Sequence, residues 1–69
     1  MQGSWQRLSS SNLDSCAYNP ETSTLSIRFQ SGRTYNYEDV PVTVYEGLME
    51  ASSPGSFFNS QIKDQYTEA

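Results

Sequence analysis

The chain has 69 residues and a net charge of −4, which is enough for one domain. A domain of this size hides only about 61% of its unfolded surface, which excludes a large buried active site. Hydrophobic residues make up 35% of the sequence, and five of them are tyrosines, so we expect tyrosine to fill part of the core. Eight acidic residues against four basic ones oppose nucleic-acid binding through overall charge, although a local basic patch is compatible with this balance.

The cellular compartment is indicated by the cysteine content and by the lack of long apolar runs. The single cysteine, Cys16, cannot form an internal disulfide, which is typical of a reducing compartment. The sequence has no apolar run of signal-peptide length at its start, and none long enough to cross a membrane. We therefore expect a cytoplasmic protein without a membrane partner.

In chain order, a polar stretch comes first and three strands follow. Residues 1–9 are predicted to be a flexible lead-in, and residues 10–69 a single domain. Strands are predicted over 13–18, 24–30 and 33–37, separated by turn residues. In the second strand, strict alternation places Leu25, Ile27 and Phe29 on a buried face and leaves Arg28 on the exposed face.

Two helices are predicted after the strands. The pair Val40-Pro41 opens the first helical pattern, although Thr43 is an alternative start because it has capping-box spacing to a glutamate. The second helix carries a four-residue stripe at Phe58, Ile62 and Tyr66. Strands followed by helices predict an α+β fold in which an antiparallel three-stranded meander is covered on one face by two helices.

The sequence offers little for catalysis. It has no histidine, one lysine and one cysteine, so the usual acid–base groups and activated nucleophiles are missing. Glu46 and Glu50 lie four residues apart on the first predicted helix, which is too few oxygen ligands for a calcium site. We expect a protein that is not an enzyme and that has no cofactor and no metal.

A pair of tyrosines, Tyr35 and Tyr37, is the most distinctive candidate binding feature, because Arg28 and Arg33 lie in the same hairpin. If residues 31–32 form a two-residue turn, both tyrosines share the exposed face with Arg28. Single-stranded bases would then stack on the tyrosines, and the arginines would contact phosphates.

A longer hairpin loop gives the opposite result. If residues 30–32 form a three-residue loop, the tyrosines pair with Ile27 and Leu25 and enter the core. This arrangement is favoured because the two-residue turn would require a positive φ at Ser31. It also supplies core volume that the few aliphatic residues cannot provide.

An ordered set of short motifs covers most of the chain. The set is Ser10-Ser11-Asn12-Leu13, Ala17-Tyr18-Asn19, Leu25-x-Ile27-x-Phe29-x-Ser31-Gly32-x-x-Tyr35-x-Tyr37-x-x-Val40-Pro41, Val44-Tyr45-x-x-Leu48-x-x-Ala51, Ser53-x-Gly55-x-Phe57-Phe58-Asn59 and Ile62-x-x-x-Tyr66. Together these motifs resemble the KTSC domain, a small bacterial domain named for its place at the C-terminus of some lysyl-tRNA synthetases.

The resemblance implies a small non-catalytic binding module whose ligand is RNA or another single-stranded nucleic acid. The candidate residues are Tyr35 and Tyr37 for stacking, with Arg28 and Arg33 for phosphate contact. The alternative is a protein–protein interaction module in which the acidic first helix or the open sheet face meets a basic protein partner.

Overall fold

Strands occupy the first half of the chain and helices the second half in the computed structural model, which describes residues 5–68. The strands are β1 (Gln6–Arg7), β2 (Leu13–Asn19), β3 (Thr24–Phe29) and β4 (Thr34–Tyr37), in one antiparallel sheet of order β1-β2-β3-β4. Helix α1 spans Val42–Glu50, and α2 spans Pro54–Phe57 and continues into a π-helical turn at Phe58–Ile62. The predicted α+β class and the order of strands before helices are therefore confirmed.

The number of strands differs from the prediction, because the sheet has four strands and not three. The additional strand is β1, in which Gln6 pairs with Cys16 and Arg7 pairs with Ser15. Both β1 residues are polar and exposed, so no apolar alternation marks them as a strand. The predicted lead-in over 1–9 includes β1. Its first four residues, 1–4, lie outside the described residues. The division of the chain into 1–9 and 10–69 stays a prediction.

A β-bulge in β2 explains an irregular burial pattern. Leu13 and Cys16 are three residues apart, yet both belong to the core, whereas a regular strand places such residues on opposite faces. The register shifts between Leu13 and Ser15, which inserts one extra residue opposite β3. The bulge therefore keeps both apolar side chains on the face that the helices cover.

The β3–β4 hairpin closes with a three-residue loop. The Phe29 N–H donates to the Arg33 carbonyl at 2.8 Å, and Gly32 has φ of +97°, a conformation that glycine adopts without a Cβ clash. Ile27 therefore pairs with Tyr35, and the next inward pair along the ladder is Leu25 with Tyr37. Of the two hairpins that the sequence allowed, the chain adopts the one that turns the tyrosines toward the helices.

One hydrophobic core lies between the sheet and the helices. Its buried members are Leu13, Cys16, Tyr18, Leu25, Ile27, Tyr37, Val40, Leu48, Phe58 and Ile62. Tyr18 donates its hydroxyl to the Val40 carbonyl at 2.5 Å and stacks on Tyr45 at 5.1 Å between ring centroids. The expectation that tyrosine helps to fill the core is confirmed by Tyr18 and Tyr37.

The second helix is shorter than its apolar stripe predicted. The structure ends the π-helical turn at Ile62, and Asp64 has a left-handed backbone with φ of 64°. Tyr66 therefore lies beyond the helix, in a segment that returns to the sheet, where Glu68 forms a β-bridge with Tyr37. Within residues 5–68, no helix has the length and apolarity needed to span a membrane.

Candidate nucleic-acid interface

The four residues predicted to bind nucleic acid are divided between the two faces of the sheet. Arg28 pairs with Thr34 on the face that carries no helix, hereafter the open face. Tyr35 and Tyr37 point to the helix-covered face, and the guanidinium of Arg33 reaches the hydroxyl of Tyr35. The three-residue loop produces this separation, because it pairs Tyr35 with Ile27 and not with Arg28. Ile27 and Arg28 are neighbours in one strand and therefore point to opposite faces.

Tyr37 is a core residue, with 6% of its surface exposed. Its ring packs edge-to-face against Phe58 at 5.8 Å. Burial raises the pKa of Tyr37, and the nearby Glu68, Tyr35 and Asp64 raise it further. A phenol held neutral and enclosed in this way offers almost no ring surface to a stacking base.

Tyr35 is half-buried and lies closer to the surface. Its ring meets Phe29 edge-to-face at 5.5 Å, and its hydroxyl accepts a hydrogen bond from Nη1 of Arg33 at 3.3 Å. This hydrogen bond raises the pKa of the fully exposed Arg33 above its usual value. Tyr35 and Arg33 therefore form a pair at the edge of the sheet, separate from Arg28.

An open cleft of about 550 Å³ lies beside this pair, between the hairpin and the chain after the π-helical turn. Its aromatic lining consists of Phe29, Tyr35, Tyr37, Phe58 and Tyr66. Its polar lining consists of Asn12, Asn59, Lys63, Asp64 and Glu68. The cleft thus combines an aromatic floor with a rim of amides and of both signs of charge.

The open face carries a second constellation, built on Trp5. The guanidinium carbon of Arg28 lies 4.3 Å from the centre of the Trp5 ring, within the range of a cation–π contact. The indole remains 41% exposed. Trp5 was not predicted as a binding residue, because it precedes a two-residue strand with no recognisable pattern.

Arg7 lies in the same cross-strand row as Arg28. Arg7 pairs with Ser15, and Ser15 pairs in turn with Arg28. Neighbouring strands are about 4.8 Å apart, so the two arginine backbones are separated by about 10 Å. Two guanidinium groups at this spacing can contact nearby phosphates of one strand.

Small polar side chains occupy the rest of the open face. Ser26 Oγ donates to Asn36 Oδ1 at 2.6 Å across β3 and β4. In β2, Ser15 Oγ donates to a carboxylate oxygen of Asp14 at 3.1 Å. The Ser26 hydroxyl and the Asn36 amide can bond to sugars, phosphates or base edges, whereas Ser15 is buried.

Cys16 lies in the core. Burial raises the pKa of the thiol to about 11, and its S–H group points to Met49 Sδ at 3.5 Å. A neutral, enclosed thiol is a poor nucleophile. Among residues 5–68, no cluster of three or more His, Cys, Asp or Glu residues is arranged to hold a metal ion.

A family profile described as the KTSC domain matches residues 9–66. The chain belongs to the KTSC domain family. The crystal structure of a KTSC domain protein from Yersinia pestis superposes with a TM-score of 0.92 and 35% identity, covering 96% of this chain and 93% of that protein. The expected resemblance is therefore confirmed in both sequence and fold.

Relatives of this KTSC domain occur alone and within a longer enzyme. An uncharacterized protein from Stutzerimonas stutzeri is 46% identical over 59 residues, covering 86% of this chain and 83% of the relative. A lysine–tRNA ligase from Nostoc sp. is 47% identical over 49 residues, covering 71% of this chain but 9% of the ligase. The similarity to the ligase thus concerns one small segment of that protein.

Proposed function

We propose that this KTSC domain is a small non-catalytic module that binds single-stranded RNA across the open face of its sheet, in the bacterial cytoplasm. The observation that supports this most is the Arg28 guanidinium stacked on the exposed Trp5 ring, with Arg7 in the same row. The similarity to a segment of a lysine–tRNA ligase gives independent support for a role near RNA.

The charge distribution favours this face despite the acidic composition. Arg7 and Arg28 are two of the four basic residues of the chain. Asp14 is the only one of the eight acidic residues that lies within strands β1 to β4; the others lie in loops, in α1 and near the C-terminus. The Asp14 carboxylate lies beside Ser15 in the same row, so a nucleic acid on the open face would meet two arginines and one carboxylate. Exposed charges farther away are screened beyond about 10 Å at cellular salt.

Stacking would provide the attraction that two phosphate contacts cannot supply alone. A base stacked on an aromatic side chain contributes about 1–3 kcal/mol and does so with little sequence preference. Arg28 keeps its predicted role as a phosphate contact in this proposal, while Trp5 takes the stacking role that was predicted for Tyr35 and Tyr37.

The test is binding of a fluorescently labelled 12-nucleotide single-stranded RNA, followed by polarisation at 50 and 200 mM salt. Two phosphate contacts predict a slope of log affinity against log salt of about −1.4, which is a sevenfold loss over this range. The chain contains a single tryptophan, so a change in its emission on binding reports directly on Trp5.

Variants separate the two contributions. Arg28→Ala and Arg7→Ala should each weaken binding at low salt and bring the slope to about −0.7, whereas Trp5→Ala should weaken binding about fivefold or more at both salt concentrations. Arg33→Ala is the comparison variant, because it removes the same charge beside Tyr35, on the other side of the sheet, and should weaken binding less than Arg28→Ala does. Absence of binding at 50 mM salt, or equal losses for Arg33→Ala and Arg28→Ala, would contradict the proposal.

A further inference from the structure

The floor of the cleft on the helix-covered side is a connected set of aromatic rings. Phe29 meets both Tyr35 and Phe58 edge-to-face, at 5.5 and 5.3 Å, and Tyr37 meets Phe58 at 5.8 Å. Tyr37 and Phe58 are buried beneath, whereas Phe29 and Tyr35 are only half-buried. The half-buried rings therefore present apolar surface to anything that enters the cleft.

The rim presents two side-chain amides, from Asn12 and Asn59. Neither amide group hydrogen-bonds to another group within residues 5–68, although the Asn12 backbone is bonded on both sides. Asn59 belongs to the π-helical turn, in which Lys63 N–H donates to the Phe58 carbonyl at 2.8 Å. π-Helical turns are rare and are often found at functional sites.

Charge on the rim selects against strongly ionic ligands. The exposed carboxylates of Asp64 and Glu68 line the cleft, and their negative charge disfavours a phosphate beside them. Lys63 also lines the cleft, and Arg33 lies at its edge on Tyr35, so a cationic group is not favoured either. An uncharged ligand with an apolar face and a polar edge fits this mixture best.

We propose that the cleft binds one uncharged nucleobase, which lies against Tyr35 and hydrogen-bonds along its edge to Asn12 and Asn59. The volume of about 550 Å³ is within the usual range of small-molecule sites. An asparagine amide carries both donors and an acceptor and can pair with a base edge. This inference rests on the proposed function in one respect, namely that the base belongs to a single-stranded RNA that the open face binds.

The sheet topology allows one single-stranded nucleic acid to reach both the open face and the cleft. β4 is an edge strand of the sheet, and along it Thr34 and Asn36 point to the open face while Tyr35 and Tyr37 point to the helix-covered face. A single-stranded nucleic acid that leaves the open face over this edge arrives beside Tyr35. The open face would then supply affinity, and the cleft would supply base preference.

Uncharged nucleosides test the cleft without phosphate contacts, and any stacking on Trp5 is followed separately through the Trp5 indole signal. Adenosine, cytidine, guanosine and uridine are titrated separately into the ¹⁵N-labelled protein to millimolar concentrations. We expect shifts of the Asn12 and Asn59 side-chain amide signals, with one nucleoside preferred. Unchanged cleft signals with all four nucleosides, or shifts confined to Trp5 and Arg28, would overturn the inference.

The variant Asn59→Asp preserves size but removes the amide donors. It should weaken binding of the preferred nucleoside about fivefold or more. In the RNA assay it should reduce the preference for one base and leave the slope of log affinity against log salt unchanged. Asn36→Asp is the matched control on the open face and should leave nucleoside binding unaffected. Loss of RNA binding in Arg28→Ala with intact nucleoside binding supports both surfaces. RNA binding without nucleoside binding refutes only the cleft.

Discussion

Replacing Tyr37 by alanine tests the hairpin register on which the division of the sheet into two faces depends. The Tyr37 ring is enclosed, packs on Phe58 and lies opposite Leu25 in the ladder. Its removal leaves a cavity in the core, because the surrounding side chains relax only partly. Tyr35, two residues away on the same strand, is half-buried and provides the internal comparison.

The expected magnitudes differ clearly between the two positions. Removing a buried aromatic side chain costs about 3–5 kcal/mol, and we expect Tyr35→Ala to cost about half as much because half as much surface leaves water. A domain of this length has a total free energy of unfolding of roughly 3–10 kcal/mol. Tyr37→Ala should therefore unfold much of the population at 37 °C, whereas Tyr35→Ala should remain folded.

Urea denaturation followed by far-ultraviolet circular dichroism measures both variants. With a denaturant slope of about 1 kcal/mol per M, Tyr35→Ala should lower the midpoint by about 1.5–2.5 M. Tyr37→Phe retains the ring and should stay within about 1 kcal/mol of the wild type. If Tyr37→Ala destabilises the protein no more than Tyr35→Ala does, the register that buries Tyr37 is wrong.

Three further predictions concern stability. Because burial raises the Cys16 pKa to about 11, the unfolded state loses the thiol proton first, so the free energy of unfolding should fall by up to about 3 kcal/mol between pH 9 and pH 11. Urea titrations of Cys16→Ala should lack that part of the fall, and an identical fall would refute the assignment. Gly32→Ala forces a methyl group into φ of +97° and should lower Tm by about 4–16 °C in calorimetry; an unchanged Tm would contradict this. Tyr18→Phe leaves the buried Val40 carbonyl unpaired and should cost about 1–3 kcal/mol in urea, with no loss arguing against the hydrogen bond.

Local patterns in the sequence were sufficient to predict the central part of the fold. The alternation around Leu25 and Ile27 correctly placed both side chains in the core and left Arg28 on the exposed face, because a buried sheet face forces a period of two. The family motifs indicated the same domain independently. What local pattern could not decide was the loop length at Gly32, since a change of one residue reverses the faces of β4.

Strand β1 and the end of the second helix were not predicted, because no sequence pattern marks them. β1 is held by two ladder pairs and exposes both of its side chains, so nothing in its sequence distinguishes it from a loop. The second helix ends near Asp64 without a glycine or proline to mark the end, because aspartate can also adopt the left-handed backbone. Trp5 was not among the predicted binding residues for the same reason. It becomes a partner of Arg28 only through the pairing of β1 with β2.

The position of β1 allows the surface of the sheet to change independently of the core. The family profile begins at residue 9, so Trp5 and Arg7 lie upstream of the segment that it matches. β1 contributes no residue to the buried core cluster, and changes in it therefore carry little cost in folding free energy. Substitutions at Gln6 or Arg7 can thus change the exposed surface of the open sheet edge while the buried core stays the same.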